Sequence, residues 1–335
     1  MKILLAAPFD RPWYTGYYLM DAMHSLMIGY SCFDYREKAA EVGVVNMNAS
    51  FIKIIEDYSP DLVLVLKGEL IQADLIRSLS IPTALWYLDY ESPIPPQLLQ
   101  QAAAYKFFFT VCKGQVEEFK GANSHWLPEA YCDVRFKPVD VEPLPKPVAD
   151  LTAFRHYGSD VAFIGTDKDR PVEVLQRIAE EGYDRKLPIN CSMKIWGAQV
   201  SDGWKKGHLE RYWMGYRTTD EEFNKICASS KILLGVSTRQ KKNCSLCFSA
   251  RVYQTLGARG FLLEESSRDL EEIFTDQKDL ALWDSEDDLI SKIKHYLEKD
   301  EKRRSIAEQG YQNVRKNHTF KQRMETLLTM VGLWK

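Results

Sequence analysis

One run of aliphatic residues constrains the fold more than any other feature of the chain. Residues 61–66 read Asp-Leu-Val-Leu-Val-Leu, and an unbroken apolar run of this length is typical of a strand buried on both faces. Such strands lie in parallel sheets and are joined by helices. Strand and helix signals alternate around it: strand-like segments occur at residues 2–7, 30–35, 82–88 and 107–111, and apolar residues at helical spacing occur at 17–28, 51–58 and 70–79. The first half therefore predicts βαβ units with a parallel sheet.

The alternation stops at a segment that is rich in proline and has no periodicity, residues 139–146, and then begins again. Strand signals follow at 160–164, 193–196, 231–236 and 261–264, and helical signals at 171–181, 220–229, 249–256, 287–297, 301–316 and 320–331. A chain of 335 residues exceeds what one hydrophobic core usually serves. We predict two doubly wound domains, an N-terminal domain at residues 1–145 and a C-terminal domain at residues 153–316.

Composition excludes several classes of protein. The formal net charge is −3, so the chain as a whole is not a polyanion binder. No apolar run reaches the roughly 20 residues of a membrane span, and the run at residues 2–7 is too short for a signal-peptide core. We therefore expect a cytoplasmic protein with reduced thiols. Cys244 and Cys247 form a lone Cys-x-x-Cys. A zinc site needs a second ligand pair at suitable spacing, and none is evident in the sequence.

Two loops could bind an anion. Gly165 and Thr166 lie between a predicted strand and a helix that begins at Pro171, where backbone N–H groups and the helix dipole favour an anion. A plain strand-to-helix turn gives the same pattern. The loop at residues 237–243 carries Arg239 and Lys241, which could neutralise a diphosphate. A solvated basic loop is the alternative reading.

The stretch from Phe248 to Leu263, followed by Leu270–Phe274, resembles the C-terminal domain of the CgeB-type spore-maturation glycosyltransferases, a branch of the GT-B superfamily. The resemblance continues through nearly all of the C-terminal half, at 161–165 with Arg170, 215–234, 289–297, 306–310 and 318–323. It is looser in the N-terminal half, at residues 60–65, 86–89, 127–130 and 136–138.

The resemblance implies an α/β fold of GT-B architecture, with two Rossmann-like domains of doubly wound parallel sheets facing a central cleft. The C-terminal helix, residues 317–335, would cross back to the N-terminal domain. The implied function is transfer of a sugar from a nucleotide-sugar donor to an acceptor. We expect no cofactor and no metal, because the resemblance implies that basic side chains and helix dipoles take the role of a metal in GT-B folds. The predicted donor-binding residues are Gly165, Thr166, Arg170, Tyr216, Arg239, Lys241, Ser249, Arg251 and Gln254.

One departure from the family pattern bears on activity. The family usually has a glutamate at the position of Gln254, where related enzymes bind the donor ribose; a glutamine can still accept through its carbonyl but carries no charge. Arg259 stands where a small residue is usual. A non-catalytic nucleotide-sugar-binding protein and a nucleotide-sugar epimerase of GT-B fold remain open. A DNA-base glycosyltransferase is a weaker alternative, suggested by the basic residues between Lys194 and Lys242.

Two aspartates are candidate catalytic groups. Asp10 follows the first predicted strand and Asp89 follows the strand at residues 82–88, so both belong at the carboxyl edge of a sheet, where open α/β sheets bind ligands. Either carboxylate could take the proton of an acceptor hydroxyl. Capping of a helix or turn explains both residues equally well.

Overall fold

The structure is a computed structural model that describes residues 1–11, 14–140, 157–183, 191–198, 201–205, 209–215, 217–236 and 248–334. The chain divides into two compact units. The first unit comprises Met1–Cys132 and Thr319–Lys335, and the second comprises Asp133–His318. Of the predicted linker, residues 139 and 140 are described and residues 141–146 lie outside the described residues.

A six-stranded parallel sheet forms the centre of the first unit, with strand order β2-β1-β3-β4-β5-β6. The strand β3 corresponds to the aliphatic run at residues 61–66, and all five residues of this strand are buried. The sheet therefore has covered faces on both sides at this strand, as the run predicted. The strands are β1 (Lys2–Ala6), β2 (Gly29–Phe33), β3 (Leu62–Leu66), β4 (Thr83–Tyr87), β5 (Phe107–Thr110) and β6 (Ser124–Trp126).

The helices of the first unit are α1 (Thr15–Ser25), α2 (Tyr35–Tyr58), α3 (Ala73–Ser78), α4 (Pro96–Ala102) and a final helix, Phe320–Met330; a 3₁₀ helix spans Lys113–Glu118. The second helix is longer than the predicted 51–58. It begins after Asp34, whose side chain accepts from two backbone N–H groups of the first turn. It is interrupted at Gly43, where φ is 80°, and exposed valines there obscure the helical periodicity.

A five-stranded parallel sheet forms the centre of the second unit, with strand order β11-β10-β9-β7-β8. The strands are β7 (Val161–Ile164), β8 (Met193–Trp196), β9 (Ile232–Leu234), β10 (Leu262–Glu265) and β11 (Ala281–Trp283). The helices are α5 (Asp169–Tyr183), α6 (Asp220–Ser229), α7 (Arg251–Gly257), α8 (Arg268–Glu271), α9 (Glu286–Leu297) and α10 (Asp300–Asn317), and two 3₁₀ helices span Gly203–Lys205 and Leu209–Tyr212.

Both sheets reverse their winding direction once, and at corresponding places. In the first unit the chain goes from β1 to β2 on one side, and then continues from β3 to β6 on the other. In the second unit β8 lies on one side of β7, and β9 to β11 lie on the other. Ligands of doubly wound sheets bind outside the carboxyl ends of the strands at such a reversal. The topology therefore directs attention to the ends of β1 and β3, and of β7 and β9.

The final helix, α11 (Phe320–Met330), packs within the first unit. Its N-cap Thr319 and Gln322 form a reciprocal capping box, and the backbone N–H of Phe320 donates to the carbonyl of Tyr131 at 3.1 Å. The Phe320 ring lies 5.5 Å from that of Tyr18 on α1. Helices from the two ends of the sequence, α1 and α11, thus pack together in the first unit. In the described part of the chain, no helix is both long and apolar enough to cross a bilayer.

Candidate functional site

A cavity of about 170 Å³ opens at the carboxyl edge of the first sheet. Its walls come from the ends of β1, β3 and β4 and the residues that follow them, from Tyr14 and the first turn of α1, and from Glu129, which follows β6. It therefore lies at the reversal point that the topology marks. The lining residues are Pro8, Tyr14, Thr15, Gly16, Leu66, Lys67, Leu88, Asp89 and Glu129.

An ion pair forms one wall of this cavity. Lys67 follows β3 in a left-handed conformation with φ of 65°, and its Nζ lies 2.5 Å from Oδ2 of Asp89, which follows β4. Gly68 continues the turn with φ of 76°, a conformation that favours glycine. The predicted residue Asp89 thus lines the cavity, with one carboxylate oxygen bound to an ammonium group.

Glu129 also lines the cavity, and burial perturbs its carboxylate. Oε1 accepts a hydrogen bond of 2.9 Å from Oγ1 of Thr15. Burial, and to a smaller extent nearby Asp89, raise the pKa of Glu129 to about 7 against the opposing effects of the Thr15 hydroxyl and Lys67. Both protonation states of Glu129 are therefore populated at neutral pH.

The backbone around Glu129 is held by two distant side chains. The indole N–H of Trp86 in β4 donates to the carbonyl of Leu127 at 2.9 Å, and Nε of Arg323 in α11 donates to the carbonyl of Pro128 at 2.9 Å. Charged donors to backbone carbonyls are among the stronger hydrogen bonds in proteins. The sequence interpretation did not select Glu129, because no local motif separates it from the surrounding Leu-Pro-Glu-Ala segment.

Asp10 has a different environment from Asp89. Its carboxylate is 43% exposed and lies 3.6 Å from Nε of Arg11, which is itself 54% exposed. It is not among the described residues that line the cavity. Asp89 and Glu129 therefore line the cavity, whereas Asp10 is exposed at the surface.

In the second unit, Gly165 follows β7 at the reversal point. Its N–H donates to the carbonyl of Trp196 at 2.9 Å. A Cβ atom at this position would lie 2.6 Å from Cζ of Phe163 and 2.8 Å from Nη1 of Arg251, closer than real Cβ contacts allow. The predicted residue Gly165 is thus glycine because a side chain and a guanidinium group occupy the space around it.

Arg251 is the first residue of α7 and reaches the end of β7. Its Nη1 donates to the carbonyl of Ile164, and its guanidinium lies 5.1 Å from the centroid of the Phe163 ring. Nε is buried without a hydrogen-bond acceptor in the described structure. Burial lowers the pKa of Arg251, against attraction from Glu264. The predicted residues Gly165 and Arg251 are therefore in direct contact.

Glu264 lies near the end of β10 and is almost completely buried. Its residue is 3% exposed, and its Oε2 has no hydrogen-bond partner in the described structure. Burial raises the pKa of Glu264 to about 7, and Arg251 opposes the rise. A Cβ atom at Gly235, which follows β9, would lie 1.6 Å from Oε2. The bare backbone of Gly235 thus makes room for the carboxylate.

The remaining predicted donor residues are more dispersed. Arg170 in α5 donates from Nη1 to Glu286 at 2.7 Å and from Nη2 to Glu265 at 3.0 Å, so two carboxylates hold its guanidinium. Oγ of the exposed residue Ser249 accepts from the N–H of Arg251 at 3.3 Å. Thr166 is half-buried after β7, and Gln254 is half-buried in α7. Tyr216, Arg239 and Lys241 lie outside the described residues.

No cluster of three or more His, Cys, Asp or Glu side chains suited to a metal ion occurs among the described residues. Among the described residues, Cys32, Cys112, Cys132, Cys191 and Cys227 form no disulfide.

Solved structures with the same architecture match the chain from end to end. Sucrose-phosphate synthase from Thermosynechococcus elongatus is 13% identical with a TM-score of 0.73, and 99% of each chain is covered. A trehalose-6-phosphate structure from E. coli bound with UDP-2-fluoro glucose is 10% identical with a TM-score of 0.73, again with 99% of each chain covered. The fold is GT-B. The predicted fold class is thereby confirmed.

A third GT-B structure, Anabaena HepE in complex with UDP, is 11% identical with a TM-score of 0.68, covering 99% of this chain and 100% of HepE. Residues 170–329 match the family model described as glycosyl transferase-like. This match supports the GT-B superfamily; it does not single out the CgeB-type branch. A search of curated protein sequences found no match.

Proposed function

We propose that this protein is a glycosyltransferase that moves a sugar from a UDP-sugar to an acceptor hydroxyl without a divalent metal. The observation that carries the proposal is the match of residues 170–329 to a glycosyl transferase-like family model in a chain of GT-B fold. Neighbours of the same fold are bound with UDP or with UDP-2-fluoro glucose, which supports the choice of donor class.

The donor belongs at the reversal point of the second sheet in this proposal. Gly165 and Arg251 are the proposed diphosphate contacts at the end of β7, where Arg251 supplies a cation. Gln254 lies three positions after Arg251 on α7, so both are on one helix face, and its amide carbonyl can accept from a ribose hydroxyl. Arg239 and Lys241 would neutralise the departing diphosphate in place of a metal. Thr166, Arg170, Tyr216 and Ser249 complete the proposed donor contacts.

The acceptor belongs in the cavity of the first unit. Asp89 and Glu129 offer carboxylate oxygens to an incoming hydroxyl, and Tyr14 offers an aromatic face. A carboxylate that binds a hydroxyl both orients its oxygen and weakens its O–H bond. Asp10 stays a sequence-based candidate for the same task.

Calorimetry with UDP and with UDP-glucose tests this proposal, in buffer with EDTA and in buffer with Mg²⁺. We expect the same Kd in both buffers, and ligand at 100 times its Kd should raise the free energy of unfolding by about 2.7 kcal/mol. Arg251→Ala should weaken UDP binding by roughly tenfold to a hundredfold, because it removes a charge-assisted contact. Arg259→Ala, which removes an exposed arginine paired with Glu308 at 3.0 Å, is the matched control and should bind as the wild type does.

Two results would contradict the proposal. A wild type that binds neither UDP nor UDP-glucose is not a UDP-sugar transferase. Binding that disappears with EDTA and returns with Mg²⁺ would overturn the metal-independent donor site.

A further inference from the structure

The cavity of the first unit is lined by the carboxylates of Asp89 and Glu129, and these two carboxylates have different hydrogen-bond partners. Oδ2 of Asp89 is 2.5 Å from the Lys67 ammonium. Oε1 of Glu129 accepts from the neutral hydroxyl of Thr15 at 2.9 Å. A hydroxyl that enters the cavity therefore meets one carboxylate that is paired with an ammonium group and one that accepts from a neutral hydroxyl.

We propose that Glu129 takes the proton of the acceptor hydroxyl during sugar transfer. This inference rests on the proposed function. In the step, the acceptor oxygen forms a bond to the anomeric carbon of the UDP-sugar, and the bond from that carbon to the diphosphate oxygen breaks. The electron pair of the broken bond leaves with UDP, and the proton moves from the acceptor oxygen to the carboxylate of Glu129.

The surroundings of Glu129 fix where that carboxylate lies. Trp86 and Arg323 hold the carbonyls of the two preceding residues at 2.9 Å each. Thr15 holds the carboxylate itself from the first turn of α1. A base acts only when it is within hydrogen-bond reach of the proton it removes, and contacts from three separate elements keep Glu129 at the cavity wall.

The other acids are less suited to the task. Oδ2 of Asp89 already lies 2.5 Å from the Lys67 ammonium, so an acceptor hydroxyl would have to compete with an ion pair for that oxygen. Asp10 is exposed beside Arg11 and outside the described lining of the cavity. Burial raises the pKa of Glu129 to about 7, so its carboxylate form is a stronger base than an exposed glutamate and is still populated at neutral pH.

The test measures UDP release from UDP-glucose with water as the acceptor, between pH 5.5 and 9, with calorimetry of UDP alongside. We expect wild-type kcat to rise with pH through about 7, because the base acts in its deprotonated form. Glu129→Gln should lower kcat at least a hundredfold, within the 10²–10⁴ of general base catalysis, and should lose that dependence on pH. Its Kd for UDP should stay within about twofold of the wild type, since the donor binds elsewhere.

Glu117→Gln is the matched control, because Glu117 is exposed in the 3₁₀ helix of the same unit; it should behave as the wild type. Should Glu129→Gln fail to fold, Glu129→Asp keeps a carboxylate, and it should be slower but retain the rise of kcat with pH.

The outcomes separate the two proposals. A wild type that binds no UDP and releases none from UDP-glucose removes the proposed function, and with it this inference. An active wild type with an equally active Glu129→Gln overturns the inference alone. An active wild type that loses its pH dependence in Asp10→Asn but keeps it in Glu129→Gln would assign the base to Asp10 instead.

Discussion

Glu129 and Glu264 are carboxylates in two different units, each near the carboxyl edge of a parallel sheet, and burial raises the pKa of both to about 7. Their surroundings differ. Glu129 lines a cavity and accepts from the Thr15 hydroxyl. Glu264 is 3% exposed, fills the space left by Gly235 and faces the attraction of Arg251.

The comparison shows that a raised pKa does not by itself identify a reactive group. Buried ionisable groups in purely structural positions shift in the same direction as catalytic acids and bases. What separates the two glutamates is access, because a proton acceptor must touch the group that loses the proton. Glu129 has a cavity in which that contact can occur, whereas Glu264 is buried against the backbone of Gly235.

The largest expected effect is on stability, and it comes from Glu264. Its pKa is raised from 4.5 to about 7, so the folded protein binds this proton more tightly than the unfolded chain does. The stabilising contribution is complete below pH 4.5 and is lost as pH rises through 7. Over that range Glu264 should lower the free energy of unfolding by about 3 kcal/mol.

Glu264→Gln should remove the part of the pH dependence that Glu264 contributes, leaving that of Glu129, and should be more stable than the wild type at pH 8, as measured by urea unfolding at pH 5 and pH 8. Glu180→Gln, at an exposed position of α5, is the control and should keep the wild-type difference. If Glu264→Gln retained the full pH dependence, the burial of Glu264 would not be its source, and the contrast with Glu129 would fail.

An intermediate effect is expected from Gly235. A methyl group there would meet Oε2 of Glu264 at 1.6 Å, and overpacking of a well-packed interior costs about 1–3 kcal/mol. Gly235→Ala should lower the free energy of unfolding by that amount, whereas Gly29→Ala, whose Cβ would find its nearest neighbour at an ordinary 3.4 Å, should change it little.

A double-mutant cycle locates the clash. In a Glu264→Ala background the cost of Gly235→Ala should largely disappear, because the atoms that collide are gone. Strict additivity of the two changes would show that Gly235 does not make room for the carboxylate.

The smallest effect is expected from Thr15, on the Glu129 side of the comparison. Thr15→Val removes the hydroxyl that donates to Oε1 of Glu129, a contact that holds down the pKa of Glu129. The pKa should rise above its present value, the rise of kcat should move to higher pH, and the free energy of unfolding should fall by about 1 kcal/mol.

Carbon-13 NMR of the glutamate carboxyl groups, with Glu129→Gln to assign the signal, measures the pKa directly. Thr326→Val, on the exposed side of α11, should leave it unchanged. A pKa of Glu129 that stayed constant or fell in Thr15→Val would contradict the hydrogen bond as described.

The fold could be read from the sequence because its signals are local. An aliphatic run such as residues 61–66 must be covered on both faces to be stable, and only a parallel sheet flanked by helices does so. Capping was the local signal that interpretation missed at α2, where Asp34 begins a helix well before residue 51. Asp89 was predicted for a similar reason, since residues that follow strands in such sheets meet at one edge.

Only the tertiary structure determined that Glu129 lines a cavity, accepts a hydrogen bond from Thr15 and has a raised pKa. Thr15 and Glu129 are 114 positions apart, and Arg323 reaches Pro128 across 195 positions. No period or motif encodes contacts of that range. Burial and electrostatic attraction depend on distance in space, so the sequence by itself determined the sheets and the positions of their edges, and only folding determined that Glu129 lines a cavity while Glu264 is sealed in a core.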